Sequence, residues 1–153
     1  MRFYGFGNYY LSSLQQGLQA GHVVGDLAAS SISKGKVTKK GKTYFKWADK
    51  HKTMVLLNGG NSAMLQELFE RFQLLEENGM KLPYAKFHED EQSLGGALTY
   101  VGIVVKKRYY EAAALLRRSS DPVAFKKEKI KKEGWKQWEV DLISELNNYS
   151  LAH

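Results

Sequence analysis

The sequence of 153 residues contains no cysteine and no long apolar run. The lack of cysteine excludes disulfides, thiolate nucleophiles, zinc knuckles and iron–sulfur clusters. The longest apolar runs, such as residues 101–105, are far shorter than the roughly 20 residues of a membrane helix. The first residues also lack the apolar stretch and the small-residue cleavage site of a signal peptide. We therefore predict a cytoplasmic protein of one domain, or one domain with an appendage, that does not cross a membrane.

Histidine is scarce as well. The chain has four histidines, and no two of them are spaced like metal ligands on one helix: His22, His51, His88 and His153. No phosphate-binding Gly-x-x-x-x-Gly-Lys-Ser/Thr loop and no Gly-x-Ser-x-Gly nucleophile motif is present. The sequence therefore predicts neither a metal site nor a cofactor.

The positive charge is concentrated in two segments. Residues 34–52 contain eight lysines and one aspartate, and residues 106–136 contain eleven lysines and arginines with four acidic residues. Each segment carries +7, so the rest of the chain carries −7 within a total of +7. Such segments favour a polyanion, most often RNA or DNA, because they neutralise phosphates and release counterions. The alternative is a solvated loop and a helix with a solvent-exposed face. The residues predicted to contact nucleic acid are Lys34, Lys36, Lys39, Lys40, Lys42, Lys46, Lys106, Lys107 and Arg108.

The hydrophobic pattern alternates between strand and helix periods. Strands are expected at residues 2–10, 53–57, 84–87 and 98–105, and helices at residues 12–30 and 62–78. A Ser-x-x-Gln capping box marks the start of the first helix at Ser12. Residues 30–42 and 88–96 are expected to form polar loops. This order predicts an α/β fold, a two-layer or three-layer sandwich with a mixed four-stranded sheet.

Three glycines, Gly17, Gly21 and Gly25, lie four residues apart in the first predicted helix. Each glycine costs a helix about 1 kcal/mol relative to alanine. Three in register therefore predict that another backbone, expected to be the sheet, approaches this stripe closely.

The C-terminal part of the chain has a different composition. Residues 106–153 are predicted to form a basic helical extension, packed on or beside the α/β domain of residues 1–105. Trp135, Trp138, Leu142 and Leu146 trace an amphipathic stripe in it. This stripe either packs on the chain's own domain or docks a protein partner or a second copy of the chain.

Three polar features are candidates for a functional site. Gln19 and His22 lie one turn apart on the first helix, where they either form the wall of a site or make internal hydrogen bonds. The acidic segment Glu89-Asp90-Glu91 either supplies a carboxylate that activates water or is a solvated loop. The turn Asn58-Gly59-Gly60-Asn61 either offers free amides to an anion or needs its glycines for geometry alone.

A family resemblance connects two of these features. Leu18-Gln19-Ala20-Gly21-His22-Val23-Val24 resembles the Ala-Gln-x-x-His-Ala signature of type-2 peptidyl-tRNA hydrolases, and residues 98–103 are similar to that family's Thr-Val-x-x-Ile-Gly strand. The resemblance covers roughly residues 10–105. It implies an α/β sandwich that recognises tRNA and hydrolyses the ester joining a peptide to the tRNA 3′ end. The catalytic residues that it implies are Gln19, His22, Glu89, Asp90 and Ser93.

The chain also departs from the family pattern. The family carries a lysine one turn before the signature glutamine, where this chain has Gln15. Its Asp-x-Gly-x-Thr motif has its nearest equivalent in residues 89–93, where Glu89 or Asp90 stands for the acid, Ser93 for the hydroxyl, and the glycine is absent. Three functions are therefore open: a peptidyl-tRNA hydrolase, an inactive relative that binds tRNA or other RNA, and a protein-interaction module.

Overall fold

Alternating strands and helices build the fold, as the sequence predicted. The computed structural model describes the backbone of residues 1–152 and the side chains of all these residues except Ser93 and Leu94. In chain order, the strands and α-helices are β1 (Arg2–Asn8), α1 (Ser13–Ser30), β2 (Ile32–Ser33), β3 (Lys36–Val37), α2 (Lys39–Lys46), β4 (Met54–Gly60), α3 (Ser62–Glu77), β5 (Tyr84–His88), α4 (Glu91–Leu94), β6 (Leu98–Val105), α5 (Lys107–Arg118), α6 (Pro122–Lys131) and α7 (Gln137–Leu146).

One mixed four-stranded sheet lies at the centre, in the order β4-β1-β6-β5. Strand β1 runs parallel to β4 and antiparallel to β6, and β5 runs antiparallel to β6. Helices cover both faces and bury a core on each. On one face, α1 and α2 pack over residues such as Phe3 and Tyr100. On the other, α3, α5 and α7 pack over residues such as Phe6 and Ile103, so the α/β fold has three layers.

Helix α1 begins at the predicted capping box. Ser12 Oγ accepts from the backbone N of Gln15 at 3.2 Å, and Gln15 Oε1 accepts from the backbone N of Ser12 at 2.9 Å. Its buried residues are Gln16, Gln19, Ala20, Val23 and Leu27. Because these five residues recur at helical spacing, they fix which side of α1 faces the sheet.

The glycine stripe of α1 lies on the opposite side, so the prediction that it approaches the sheet was wrong. A Cβ added at Gly17, Gly21 or Gly25 would have no described atom within 4 Å. The close approach instead occurs at a glycine of the sheet. A Cβ at Gly102 of β6 would lie 2.8 Å from Val23 Cγ1 of α1.

Residues 30–42 form regular structure, so the predicted polar loop was also wrong. Strands β2 and β3 pair as an antiparallel hairpin. Lys34 and Gly35 form its two-residue turn, with φ values of 52° and 72°, which matches the left-handed conformation that tight hairpin turns require. Thr38 then caps α2 by accepting from the backbone N of Gly41 at 2.9 Å. After α2 the chain continues as a π-helical turn, Trp47–His51.

The apolar stripe of the C-terminal extension packs inward. Trp135, Leu142 and Leu146 are buried in the same core as Phe6, and Trp138 packs partly buried against it. These side chains stabilise the chain's own fold, so they are not an exposed docking surface for a partner or a second copy. In residues 1–152, no helix combines the length and apolar character needed to span a membrane.

Residues 150–152 extend the sheet beyond β4. The backbone N of Asn58 donates to Ser150 O at 2.9 Å, and the backbone N of Ala152 donates to Leu56 O at 2.9 Å. Asn58 Oδ1 also accepts from the backbone N of Gly60 at 3.0 Å. Two amides of the turn proposed to bind an anion are therefore already paired, and that turn belongs to the end of β4.

Candidate functional site

Gln19, Glu89 and Thr99 form a polar cluster between α1 and the sheet. The side-chain amide of Gln19, which is buried, donates to Glu89 Oε1 at 2.5 Å. Thr99 Oγ1 donates to Gln19 Oε1 at 3.3 Å, so both ends of the amide have a partner. The backbone N of Glu89 donates to Ala97 O at 2.9 Å, which holds Glu89 where the loop leaves the sheet. The cluster therefore presents a half-buried carboxylate oriented by a fixed amide, an arrangement able to accept a proton from water.

A β-bulge directs Thr99 into this cluster. Phe87 pairs with Tyr100 and His88 pairs with Leu98, so Thr99 is an extra residue on β6. A bulge changes the direction in which a side chain points. Thr99 lies next to Tyr100, which packs on the α1 face of the sheet, and its hydroxyl reaches α1 as well. Nothing in the alternating pattern of β6 signals this, and the sequence reasoning missed Thr99.

His22 lies beside the cluster. Its ring stacks on Phe87 of β5, with centroids 4.4 Å apart and planes 7° from parallel. The side chain is exposed, which excludes the interpretation of His22 as a residue bonded in the interior. Gln19 and His22 of α1 therefore meet Glu89, about 70 residues further along the chain, at one end of the sheet.

The remaining residues of the predicted catalytic set have other positions. Asp90 is exposed, and its backbone O accepts from the backbone N of Gly96 at 3.3 Å. The side chain of Ser93 lies outside the described residues. Gln15 stands where the family pattern has a lysine. Its side chain is exposed and caps α1, and because it is uncharged it supplies no cation to the cluster.

The two basic segments meet in a groove of about 500 Å³, which we call the basic pocket. It is lined by Met1, Lys46, His51, Lys106, Lys107, Arg108 and Tyr110. In the described part of the chain, neither Lys46 nor Lys106 forms an ion pair. Helix α5 also begins here without a side-chain cap and without an acidic residue in its first turn. Cationic side chains and the start of a helix both favour an anion at this place.

The charge in this pocket affects its titratable groups. Desolvation, followed by the positive charges of the amino terminus and Lys46, lowers the pKa of His51. Arg108 is partly neutralised by Glu139, whose Oε2 lies 3.3 Å from its guanidinium, and the guanidinium also lies over the ring of Trp135. Lys107 pairs with Glu111 at 3.6 Å, an exposed pair that contributes little to stability. The pocket thus retains an excess of positive charge.

The other predicted nucleic-acid contacts lie outside the basic pocket. Lys34, Lys36, Lys39 and Lys42 are exposed on the hairpin and α2. Lys40 pairs with Glu76 and lies over the ring of Tyr84, so it connects α2 to the other layer of the fold. Burial, followed by the charge of Lys81, lowers the pKa of Lys40. Of the nine predicted residues, the pocket brings together Lys46, Lys106, Lys107 and Arg108.

The polar cluster and the basic pocket lie at opposite ends of the sheet. Strand β6 begins at Leu98, beside the cluster, and ends at Val105, beside the pocket. Its seven steps of about 3.3 Å separate the two ends by about 23 Å.

A scan against known protein-family models found no match, and a search of curated proteins found none either.

Proposed function

We propose that this chain is an RNA-binding protein that holds phosphates in the basic pocket. The observation that carries the proposal is the meeting of two basic segments, about 60 residues apart in the sequence, in one groove. Lysines that serve only solubility would not be expected to meet at the start of a helix that lacks a side-chain cap. Phosphates are the commonest polyanionic groups that such a surface neutralises, and the resulting affinity depends on salt. We place this role among cytoplasmic RNAs, which the lack of cysteine in the sequence favours.

Neutralising the pocket should weaken RNA binding. We expect the double substitution Lys46→Ala with Lys106→Ala to lower the affinity for tRNA about tenfold near 0.1 M salt and to reduce the salt slope by about 1.5. Fluorescence anisotropy with labelled tRNA over a series of salt concentrations measures both quantities.

A matched control removes the same charge elsewhere. Lys127→Ala with Lys131→Ala changes two exposed lysines of α6 and should leave the affinity close to that of the unsubstituted chain. Equal losses from the two double variants would mean that only the net charge matters and that the pocket is not the site. If the unsubstituted chain shows no salt-dependent binding, the proposal of RNA binding fails.

Peptidyl-tRNA hydrolysis is the second candidate function, and the convergence of Gln19, Glu89 and Thr99 beside His22 favours it. In this function the Glu89 carboxylate accepts the proton of an attacking water. Gln19 holds that carboxylate in place through the 2.5 Å hydrogen bond. His22, exposed on Phe87 beside the cluster, would contact the bound ester. The resemblance to type-2 peptidyl-tRNA hydrolases supports this assignment, whereas Gln15 in place of the family's lysine argues for a slower reaction.

Hydrolysis can be tested by release of peptide from a peptidyl-tRNA, with an authentic hydrolase as the positive control. Glu89→Gln should lower the release at least tenfold, because the amide cannot accept the proton. His22→Ala is expected to reduce it as well. Glu91→Gln, the same change on α4 two residues further along, is the matched control and should retain the rate. If the chain binds the tRNA but peptide is released no faster than in buffer, the function is RNA binding alone.

A further inference from the structure

A second groove adjoins the basic pocket. It has a volume of about 240 Å³ and is lined by residues of β1, β4, α5 and the segment that follows α7. We call it the tyrosine groove, after Tyr4 and Tyr110, which line it together with Arg2 and Arg117. Tyr110 also lines the basic pocket, so the two cavities share a wall.

The tyrosine groove combines flat surfaces with hydrogen-bonding groups. The guanidinium carbon of Arg2 lies over the Tyr110 ring, 4.1 Å from its centroid, so the two groups form a cation–π pair. Apolar side chains such as Val55 and Ala113 line part of the groove, Asn147 and Ser150 add polar groups, and Arg117 adds an exposed cation. A nucleobase has the complementary form, with apolar faces and polar edges. Bases stack on both aromatic rings and arginine planes when proteins bind single strands.

The position of Tyr110 relates the two cavities to successive parts of one strand. Lys107 precedes Tyr110 by about one turn of α5, Lys106 lies directly before that helix, and all three side chains line the basic pocket. A phosphate held by the lysines would place the attached nucleoside beside Tyr110. In a duplex the faces of the bases are covered by their neighbours, so only an unpaired nucleotide can enter the tyrosine groove.

We propose that the RNA bound by this chain is recognised at an unpaired segment, with phosphates in the basic pocket and a base in the tyrosine groove. This inference rests on the proposed RNA-binding function and adds the class of RNA. This recognition requires no particular base sequence, because every base has a face that can stack.

The proposal predicts a preference for single strands that depends on Tyr110. A 12-nucleotide single-stranded RNA should bind at least fivefold more tightly than a 12-base-pair RNA duplex at the same salt concentration, since stacking is added to phosphate binding. Tyr110→Leu should lower the affinity for the single strand about tenfold without changing the salt slope. Tyr110→Phe, which keeps the ring, should retain most of the affinity. Tyr9→Leu, an exposed tyrosine at the opposite end of β1, is the matched control and should have no effect.

A measurement on the unsubstituted chain avoids dependence on the stability of the variants. A single-stranded RNA that carries 2-aminopurine should change its fluorescence on binding, because the base leaves its neighbours in the strand and stacks in the groove. Unchanged fluorescence, or a duplex that binds as tightly as the single strand, would overturn the inference. If Tyr110→Leu has no effect while Lys46→Ala with Lys106→Ala weakens binding, the proposed function stands and this inference fails. If neither RNA binds, the proposed function itself fails.

Discussion

Replacing Gly102 by alanine is expected to lower the free energy of unfolding by about 3 kcal/mol, more than a hundredfold in the folding equilibrium. The added Cβ would lie 2.5 Å from Phe3 Cζ and 2.8 Å from Val23 Cγ1. The Phe3 ring cannot move aside, because it is fully buried and packs against Trp47 with the ring centroids 5.7 Å apart. Thermal denaturation followed by circular dichroism should show a fall in melting temperature of about 10 °C.

The position of Gly102 gives this prediction a further consequence. It lies in β6 between β1 and β5, opposite Gly5 and Ala85 in the register of the sheet. A shift of α1 that accommodates the new methyl group would also move Gln19 away from Thr99. We therefore expect Gly102→Ala to disturb the polar cluster as well as the core. An unchanged melting temperature would show that α1 does not rest on this glycine.

Glycine-to-alanine substitutions on the outer side of α1 are expected to have the opposite effect on the free energy of unfolding. Gly17→Ala, Gly21→Ala and Gly25→Ala together should raise the free energy of unfolding by about 2 kcal/mol. Alanine loses less conformational entropy than glycine on entering a helix, and the three added methyl groups would meet no described atom within 4 Å. Chemical denaturation of the triple variant should show a higher midpoint with an unchanged slope.

The triple variant also distinguishes a structural stripe from a functional one. If RNA binding and any hydrolysis persist while stability rises, the three glycines serve neither function. A triple variant that is less stable than the unsubstituted chain would mean that the outer side of α1 is covered, contrary to the structure. Each single variant should contribute about a third of the total, because the residues lie a full turn apart and share no partner.

Local sequence signals predicted the elements of the fold well. The capping box at Ser12 marked the start of α1, and the β-branched run of residues 98–105 coincides with β6. These signals depend only on neighbouring residues, which is why the sequence carries them. The hairpin of β2 and β3 was missed because Lys34 adopts a left-handed conformation that lysine rarely takes.

The candidate sites were harder to predict from the sequence than the helices and strands, because they depend more on tertiary structure. The resemblance placed Gln19, His22 and Glu89 in one site, and the structure brings these three residues together. Thr99 could not be predicted, because its direction follows from a bulge set by pairing with β5. The basic pocket was foreseen only as two separate charged segments. Their meeting requires the end of β6 to lie beside Met1, which follows from the antiparallel pairing of β1 with β6.

The pairing of residues 150–152 with β4 has a consequence for the solubility of the chain. Strand β4 is at the edge of the sheet, and an uncovered edge offers unpaired amides and carbonyls to any other extended chain. The hydrogen bonds of Ser150 and Ala152 occupy part of that edge from within the same molecule. Proteolysis after Tyr149 would therefore expose Leu56 and Asn58 to strand pairing between molecules, and trimmed chains should self-associate where intact ones do not.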